Sequence, residues 1–457
     1  MNVLLISAIL GVVMMFSSFL VKNTATVRTM GITGTIALLV LNVLEMYGTR
    51  LFNINTAGFL SFDRYTLLFI SIAVFALLVY FLLTAKDMEK LSKVNYAEYF
   101  ALLFFVLCGI VLVSSFDSLL ILFLGIEIVS IPLYVLTGSD KRNLKSNEAA
   151  LKYFLMGCFS TGLMLMGITL IYGAQGTFSV DLFNFTKNID SPLAIAGMLL
   201  LLFSMAFKAS VAPLHFWTPD VYDGAPTVFT SFMATIVKAA VFFSFFRLFN
   251  DSFGVLASQW QFWMAILAAV TLFIGNITAV FQHSVKRMLA YSSIAQAGFM
   301  LLAVFAMNGI AQEGLLLYAA AYSLATIGIF SVLTKIDDYT FDGFNGLAKQ
   351  QPLVAAAITI FILSLAGIPL TAGFLAKFYM IQAVIATKGH LWLAIFSLVM
   401  AAVSVYYYFR VIQAMYFKQG NANIQASNAF KYTLLAVAVI VILLGIFPNL
   451  ITNWLYF

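Results

Sequence analysis

The sequence predicts an all-α polytopic membrane protein with about 14 transmembrane helices, including two inverted five-helix repeats that each contain a broken helix. Of its 457 residues, 63% are hydrophobic and 9% are charged, whereas soluble proteins are about 45–50% apolar and about 25% charged. The mean hydropathy is +1.02. Such a chain lacks the polar side chains to cover a globular surface, so its composition excludes soluble, disordered, collagen-like and disulfide-scaffold classes.

The apolar residues fall into fourteen runs of about 20 residues, the length that crosses a hydrocarbon core of about 30 Å. The runs cover 2–21, 29–48, 66–85, 97–115, 117–137, 148–172, 192–217, 225–249, 260–281, 287–307, 313–333, 352–386, 390–417 and 430–454. Strand alternation is absent from them, which argues against a barrel. The first run lacks a cleavage site followed by a polar chain, so we interpret it as a retained helix.

Lys and Arg are unevenly distributed between the two sides of this arrangement. Loops after odd-numbered runs carry Lys22, Arg28, Lys86, Lys90, Lys93, Lys141, Arg142, Lys145, Lys286, Arg287, Lys335, Lys349, Lys418 and Lys431. Loops after even-numbered runs carry Arg50, Arg64, Lys187, Arg247 and Lys388. Because positive loops stay in the cytoplasm, we expect both termini on the non-cytoplasmic side of the cell inner (plasma) membrane.

Several charged residues lie inside the apolar runs: Glu127, Lys152, Lys208, Lys238, Lys377 and Arg410. Arg410 lies near a helix end, where its side chain can snorkel to the interface. Each charge near mid-bilayer costs about 2.5–3.5 kcal/mol, and Ser, Thr or Asn would hold helices together at lower cost. Burial disfavours the charged form and so favours proton exchange with water. Glu127, Lys208, Lys238 and Lys377 therefore predict a proton path, with a buried ion pair that fixes helix register as the alternative.

Helix-breaking residues accompany these charges. Pro132 and Pro213 each follow an intramembrane charge by five residues and each remove a helix hydrogen bond. The run 352–386 contains the Gly367-Ile368-Pro369 sequence, which predicts a discontinuous helix before Lys377. Backbone groups freed at membrane depth are tolerated only inside protein or beside water. We therefore expect water next to these charges.

The breaks fall at corresponding places in two halves of the chain. Runs 4–8 and 9–13 form two five-helix units, and the broken helix with its lysine is the fourth member of each. Because five is odd, the second unit crosses the membrane in the opposite sense, as in transporters built from inverted repeats. This predicts an N-terminal three-helix segment (1–96), a first repeat (97–250), a second repeat (251–418) and a C-terminal helix (419–457).

Three further side chains are candidates for accessory roles. Glu148 and Lys152 lie four residues apart on one face of the sixth helix, in the favourable acid-before-base order. They form either a proton-uptake relay or a structural pair. His215 lies inside the seventh run and either packs there or touches the water path.

The sequence lacks the motifs of redox and nucleotide sites. It has no CxxC pair, HExxH, GxGxxG or Walker motif, its three histidines are scattered, and Cys108 and Cys158 lie inside apolar runs. Its basic residues form no stripe for nucleic acid. We therefore expect no cofactor, no metal and no nucleic acid on this chain, and energy supplied by a partner or an ion gradient.

Three stretches resemble one known family. Residues 207–227 read FKASVAPLHFWTPDVYDGAPT and closely resemble the seventh-helix signature of the antiporter-like membrane subunits of respiratory complex I, NADH:quinone oxidoreductase. Residues 287–298, RMLAYSSIAQAG, and residues 367–378, GIPLTAGFLAKF, are similar to further motifs of that family. With fourteen spans in the same places, the resemblance covers nearly the whole chain.

The resemblance implies a proton-translocating membrane-arm subunit. It assigns Glu127 as the fifth-helix acid, Lys208 as its partner, Lys238 as the connecting lysine and Lys377 as the exit lysine. Family members often carry His where this chain has Gln296, which binds water but cannot titrate.

The resemblance also implies partners and alternatives. The expected partners are other membrane subunits and the lipid bilayer, with quinone, NADH, FMN and iron–sulfur clusters on other subunits. A subunit of a multisubunit sodium–proton antiporter shares the lysine pattern, although the TPDVYDGAPT sequence of residues 218–227 argues against it. A structural membrane spacer is the second alternative.

Overall fold

The fold is a bundle of apolar helices joined by short connections. The computed structural model describes residues 1–52, 54–92, 94–180, 191–422 and 424–456, so that Lys93 and Lys187 lie outside the described residues. The spans are α1 (Asn2–Leu20), α2 (Thr24–Met46), α3 (Arg64–Leu91), α4 (Tyr96–Ser115), α5 (Leu119–Thr137), α6 (Leu144–Gln175), α7a (Pro192–Lys208), α7b (Trp217–Gly224), α8 (Thr227–Ser252), α9 (Ala257–Val280), α10 (Val285–Ala306), α11 (Gly309–Leu333), α12a (Pro352–Ala366), α12b (Ala372–Ala386), α13 (Leu391–Phe417) and α14 (Asn428–Ile446).

This arrangement confirms the predicted fold class. Twelve helices of the described chain are long and apolar enough to cross a bilayer, and the shorter apolar helices α7a, α12a and α12b belong to the two broken spans. Several helices extend beyond the predicted runs: α2 begins at Thr24, α3 continues to Leu91 and α6 begins at Leu144. The division into segments at 96, 250 and 418 stays a prediction, with α7 broken in the first predicted repeat and α12 in the second.

The interior of the bundle is formed by α8, α10 and α11. The spanning windows of α8 and α11 are wholly buried and that of α10 nearly so, whereas α1, α2, α6 and α14 bury only about a third of theirs. A polar side chain on an interior helix can find its hydrogen-bond partners within the protein. The central helices are therefore where buried charge is tolerated best.

Close helix packing fixes the positions of the first broken helix and its neighbour. Helices α6 and α7a cross at Gly167 and Gly197, where a Cβ on Gly167 would lie only 2.9 Å from the Gly197 carbonyl oxygen. Small residues at such a crossing allow the two backbones to approach. This contact sets the distance between α6 and the lysine that ends α7a.

The two broken helices are interrupted where the sequence predicts. Helix α7a ends at Lys208, and helix resumes at Trp217, whose indole Nε1 donates to the Phe207 carbonyl oxygen at 3.1 Å. Helix α12a ends at Ala366, where Gly367 adopts φ +84°, a conformation that favours glycine. In both cases a carbonyl oxygen at the end of the first half-helix is satisfied within the protein: that of Phe207 by Trp217 and that of Ala366 by Lys377.

Two features of the helices differ from expectation. Pro132 lies inside an uninterrupted α5, so the break expected beside Glu127 does not occur. Conversely, α8 contains an unpredicted π-helical turn, Met233–Val237, which ends immediately before Lys238. Such turns are often found at functional sites.

Candidate functional site

Glu127 and Lys208 meet between α5, α6 and α7a. The Lys208 Nζ lies 3.9 Å from the Glu127 Oε1 and donates a hydrogen bond to the Ser130 Oγ at 3.0 Å. The same Glu127 oxygen accepts a hydrogen bond of 2.7 Å from the Thr161 hydroxyl. The lysine therefore binds a hydroxyl directly, while its carboxylate partner lies at the limit of ion-pair distance. This is a loose pair in which either group has a second partner.

Lys238 begins the helical turn after the π-helical segment of α8 and is 2% exposed. Its Nζ donates to the carbonyl oxygen and the hydroxyl of Ser293, at 3.0 and 3.1 Å, and lies 5.7 Å from the centre of the Tyr222 ring. Among the described residues no carboxylate is within ion-pair distance. A full charge held only by neutral groups in a buried position is costly.

Lys377 lies in α12b and reaches back across the break to α12a. Its Nζ donates to the carbonyl oxygens of Leu365 and Ala366, at 2.7 and 3.1 Å, and lies 4.7 Å from the centre of the Phe299 ring. These carbonyls end a helix and carry its negative partial charge, which favours a cation. A Cβ on Gly367 would lie 2.9 Å from the Lys377 Cδ, so the glycine at the break leaves room for the side chain.

One face of α10 connects the sites of Lys238 and Lys377. Ser293, which accepts from Lys238, lies one helical turn from Gln296 on the same face. The Gln296 Nε2 donates to the Leu365 carbonyl oxygen at 3.0 Å, the same oxygen that accepts from Lys377. The Tyr318 hydroxyl donates to the Gln296 Oε1. A row of polar groups therefore runs along α10 between the two lysines.

A small cavity lies beside this row. Its walls are formed by side chains and backbone of α10, α11 and both halves of α12: Gln296, Tyr318, Ala321, Tyr322, Ser364, Leu365, Gly373, Ala376 and Lys377. It leaves about 10 Å³ for the centre of a water molecule, which is close to the space that one water needs. Hydroxyl, amide and ammonium groups converge on it, so the site is polar enough to hold that water.

Residues 117–404 match the family model described as NADH:quinone oxidoreductase/Mrp antiporter, TM. NADH-quinone oxidoreductase subunit N of Cytophaga hutchinsonii is 36% identical over 99% of this chain and 98% of that protein. This chain belongs to the NADH:quinone oxidoreductase/Mrp antiporter family of membrane subunits.

Solved structures agree with that assignment. A chain of respiratory complex I from Thermus thermophilus, with bound aureothin, is 31% identical with a TM-score of 0.85, covering 99% of this chain and 98% of that one. A chain of the Mrp complex from a Dietzia species has a TM-score of 0.86 at 18% identity, over 99% of this chain and 95% of that one. At that identity the Mrp likeness shows the fold alone. The resemblance to the antiporter-like subunits of complex I is confirmed.

Within this family fold, Glu148 and Lys152 lie at the surface. The Lys152 Nζ contacts the Glu148 Oε1 at 2.8 Å and the Asp220 Oδ2 at 2.9 Å, and Asp220 also pairs with Arg287 at 3.2 Å. The Lys152 side chain is 41% exposed, so it does not lie buried in the bundle. The predicted pair exists, and it belongs to a larger cluster that ties α6 to α7b and α10.

Two other sequence candidates have different surroundings. His215 lies in the non-helical stretch between α7a and α7b, and its buried Nδ1 has no hydrogen-bond partner in the described part of the chain. The Arg410 Nη1 donates to the Val280 and Gln282 carbonyl oxygens at 2.8 and 3.2 Å, and thereby binds the carboxyl end of α9. Arg410 thus satisfies helix-end carbonyls and takes no part in the lysine row.

Several candidate functional residues were not predicted from the sequence. Ser130 could have been found, because it lies three residues after Glu127 and shares its helix face. Thr161 and Tyr318 carried no signal, since a buried hydroxyl in an apolar run is common. Lys286 was counted as a loop residue, yet it is 3% exposed and donates to the Asp223 and Ala225 carbonyl oxygens.

Proposed function

We propose that this chain is a proton-translocating membrane-arm subunit of an NADH:quinone oxidoreductase, and that Glu127, Lys208, Lys238 and Lys377 form its proton path. The observation that carries the proposal is the polar row along α10, which joins two buried lysines that have no carboxylate partner among the described residues. Amines held by neutral groups are suited to alternate between charged and neutral forms.

The mechanism begins at the loose pair. Glu127 holds the Lys208 ammonium across 3.9 Å, and Thr161 offers the carboxylate a competing partner. A movement in a neighbouring subunit that draws Glu127 away makes Lys208 easier to deprotonate. Its proton then passes towards Lys238.

From Lys238 the proton moves along α10. Ser293 accepts from Lys238, and a water in the small cavity bridges the hydroxyl groups near Gln296 to Lys377. Gln296 cannot titrate, so it orients its neighbours while water and hydroxyls carry the proton. Lys377 releases it to the opposite side of the membrane.

The remaining parts of the complex lie on other subunits. Quinone, NADH, FMN and iron–sulfur chemistry is proposed to occur there, because this sequence carries none of the corresponding motifs. The partners are the neighbouring membrane subunits and the lipid bilayer. The likeness to the Mrp chain, at 18% identity, concerns the fold alone and gives no support for sodium exchange by this chain.

The decisive experiment replaces Glu127 by Gln in the assembled complex. Glutamine keeps the shape and can still accept from Thr161, but it removes the charge that attracts Lys208. We expect proton pumping per NADH oxidised to fall in inside-out vesicles, measured with a fluorescent pH indicator. E98Q, at an exposed position in the first turn of α4, is the control. Unchanged pumping by E127Q would show that the assignment is wrong, and sodium-dependent pumping would favour the antiporter alternative.

The proposed orientation is tested separately. The excess of Lys and Arg in the loops after odd-numbered spans supports an orientation in the plasma membrane with both termini outside the cytoplasm. Alkaline phosphatase fused to the carboxyl terminus, which is active only outside the cytoplasm, is expected to be active. A fusion within the loop between α5 and α6 is expected to be inactive, and the reverse pattern contradicts the orientation.

A further inference from the structure

A further buried lysine, Lys286, lies outside the proton path described above. Lys286 is the second residue of α10, and its Nζ donates to the Asp223 and Ala225 carbonyl oxygens, both at 2.8 Å, and lies 5.2 Å from the centre of the Tyr339 ring. No carboxylate oxygen of the described residues is within ion-pair distance of it. Lys286 therefore has the same kind of surroundings as Lys238 and Lys377: backbone oxygens and an aromatic ring.

Lys286 also lines a cavity of about 380 Å³ at the end of the bundle that carries the lysine-rich loops. Ionisable side chains from several elements surround this cavity: Asp87, Lys90, Asp140, Lys145 and Asp223. A space of this size with charged walls holds many waters. In the proposed orientation it opens towards the cytoplasm, so it gives water access to an otherwise buried ammonium.

Hydrogen bonds lead from Lys286 into the bundle. The Ala225 carbonyl oxygen accepts from Lys286 and also, at 3.4 Å, from the Thr230 hydroxyl. That hydroxyl also donates to the Tyr222 carbonyl oxygen at 3.0 Å, and the Tyr222 ring faces Lys238. Thr230 is fully buried, and a hydroxyl can both accept and donate a proton. The Thr230 hydroxyl thus shares an acceptor with Lys286 and contacts the backbone of the residue whose ring faces Lys238, and water is needed to complete a proton route between the two lysines.

We propose that Lys286 is the group that takes up protons from the cytoplasmic cavity and supplies them to Lys238. Once the proton from Lys208 has passed through Lys238 to Lys377, the Lys286 ammonium gives one proton, by way of the Thr230 hydroxyl and water, to the neutral Lys238 amine. Lys238 passes this proton back to Lys208, and the Lys286 amine regains one proton from cavity water. This inference rests on the proposed proton path, because it assigns the source of the protons that Lys238 passes to Lys377. It adds a residue that neither the lysine pattern nor the family resemblance assigned.

The main alternative is that Lys286 only fixes the end of α7b. Its two carbonyl acceptors lie where α7b ends and α8 begins, and the adjacent Arg287 also donates a hydrogen bond to Asp220 of α7b. A positioning role needs a permanent cation, whereas proton uptake needs a group that can lose its proton. Arginine supplies the first and not the second, because it stays protonated in proteins.

The test therefore compares K286R with wild type in the assembled complex. K286R keeps donors for the two carbonyl oxygens but cannot release a proton. We expect normal assembly, with NADH-driven pumping and quinone reduction lowered at least about tenfold, as for the loss of a positioned proton-transfer group. K349R, the same change at an exposed position, is the matched control and is expected to behave as wild type. Wild-type rates for K286R overturn the proposal.

Two further variants separate uptake from positioning. T230V removes the relay hydroxyl with little change in volume, and we expect slower pumping. T84V is its control, because the buried Thr84 hydroxyl donates to the Tyr80 carbonyl oxygen of its own helix and not to a carbonyl oxygen that binds Lys286. If K286R does not assemble, the T230V result tests the proposal, and wild-type pumping by T230V contradicts the route.

R287M tests the structural contact between α10 and α7b, so an equal loss of pumping in R287M and K286R also overturns the proposal.

A K238M variant separates the uptake role of Lys286 from the proton path as a whole. K238M is measured alongside the other variants. If K238M loses pumping and K286R does not, the proton path stands and the uptake role is wrong. If K238M pumps as wild type, the path itself is wrong, and the uptake role is rejected with it.

Discussion

The two broken helices both present a lysine, but they hold it in different ways. Lys208 is the last residue before its break and faces a carboxylate on another helix, with Ser130 as its hydrogen-bond partner. Lys377 follows its break and binds two carbonyl oxygens of its own interrupted helix. The first lysine therefore depends on a side chain that can move, and the second depends on backbone that cannot be exchanged.

This difference indicates a division of labour. A carboxylate at the limit of ion-pair distance responds strongly to small displacements, since Coulomb energy changes steeply at short range. Helix-end carbonyls give a steady field, so the charge of Lys377 depends on the water and protons that reach it. The first half is suited to receive a mechanical signal and the second half to release a proton.

The largest effect is expected from K377R. Arginine can donate to the Leu365 and Ala366 carbonyl oxygens but stays protonated, so the break remains stabilised while proton release stops. Pumping per NADH in inside-out vesicles should fall at least about tenfold, with the complex still assembled on native gels. Wild-type pumping by K377R would mean that no proton exchanges at this site, and the contrast with Lys208 would lose its functional meaning.

A smaller effect is expected from K208A. Removing this ammonium leaves Glu127 bonded to Thr161, so the carboxylate keeps one partner and assembly should survive. Without Lys208 the neighbouring subunit has no ammonium to deprotonate and Lys238 is loaded only from Lys286, so pumping should fall by about fivefold, or about 1 kcal/mol of barrier. Loss of assembly in place of coupling would indicate that the pair serves only to fix helix register.

The smallest effect is expected from A321V, which tests whether Lys377 depends on water in the adjacent cavity. The added methyl groups enter the cavity beside Gln296 and Lys377 and leave no room for a water molecule there. Pumping should slow by about twofold, or about 0.4 kcal/mol. A320V is the matched control, because Ala320 is also buried but does not line this cavity. Equal slowing in both variants would attribute the effect to packing and would contradict a role for the water.

Much of the fold was predictable, because each span requires a run of apolar residues that composition reveals. The break in α12 was also predictable, since Gly367 and Pro369 together cannot continue a helix. The lysines of the candidate site stood out because an ammonium in an apolar run has no ordinary explanation. The site residues themselves stay predictions until variants are measured.

The remaining features depend on contacts between distant residues. Pro132 and Pro213 look alike in sequence, but α5 continues while α7 breaks. At the second break the Phe207 carbonyl oxygen accepts from the Trp217 indole, and the Ala212 N–H donates to the Thr271 hydroxyl. These partners come from the far side of the break and from another helix, so spacing along the chain could not reveal them. The burial of Lys286 escaped prediction for the same reason.

The acceptors of Lys377 have a consequence for genetic variation. No codon specifies a carbonyl oxygen, so substitution of Leu365 or Ala366 leaves both acceptors chemically intact. Damage to this ammonium site by point mutation is thus concentrated at the codon of Lys377 itself and at Gly367, where any Cβ would meet its side chain. The Glu127–Lys208 pair, by contrast, can be disabled from either partner, because both interacting groups are side chains specified by codons.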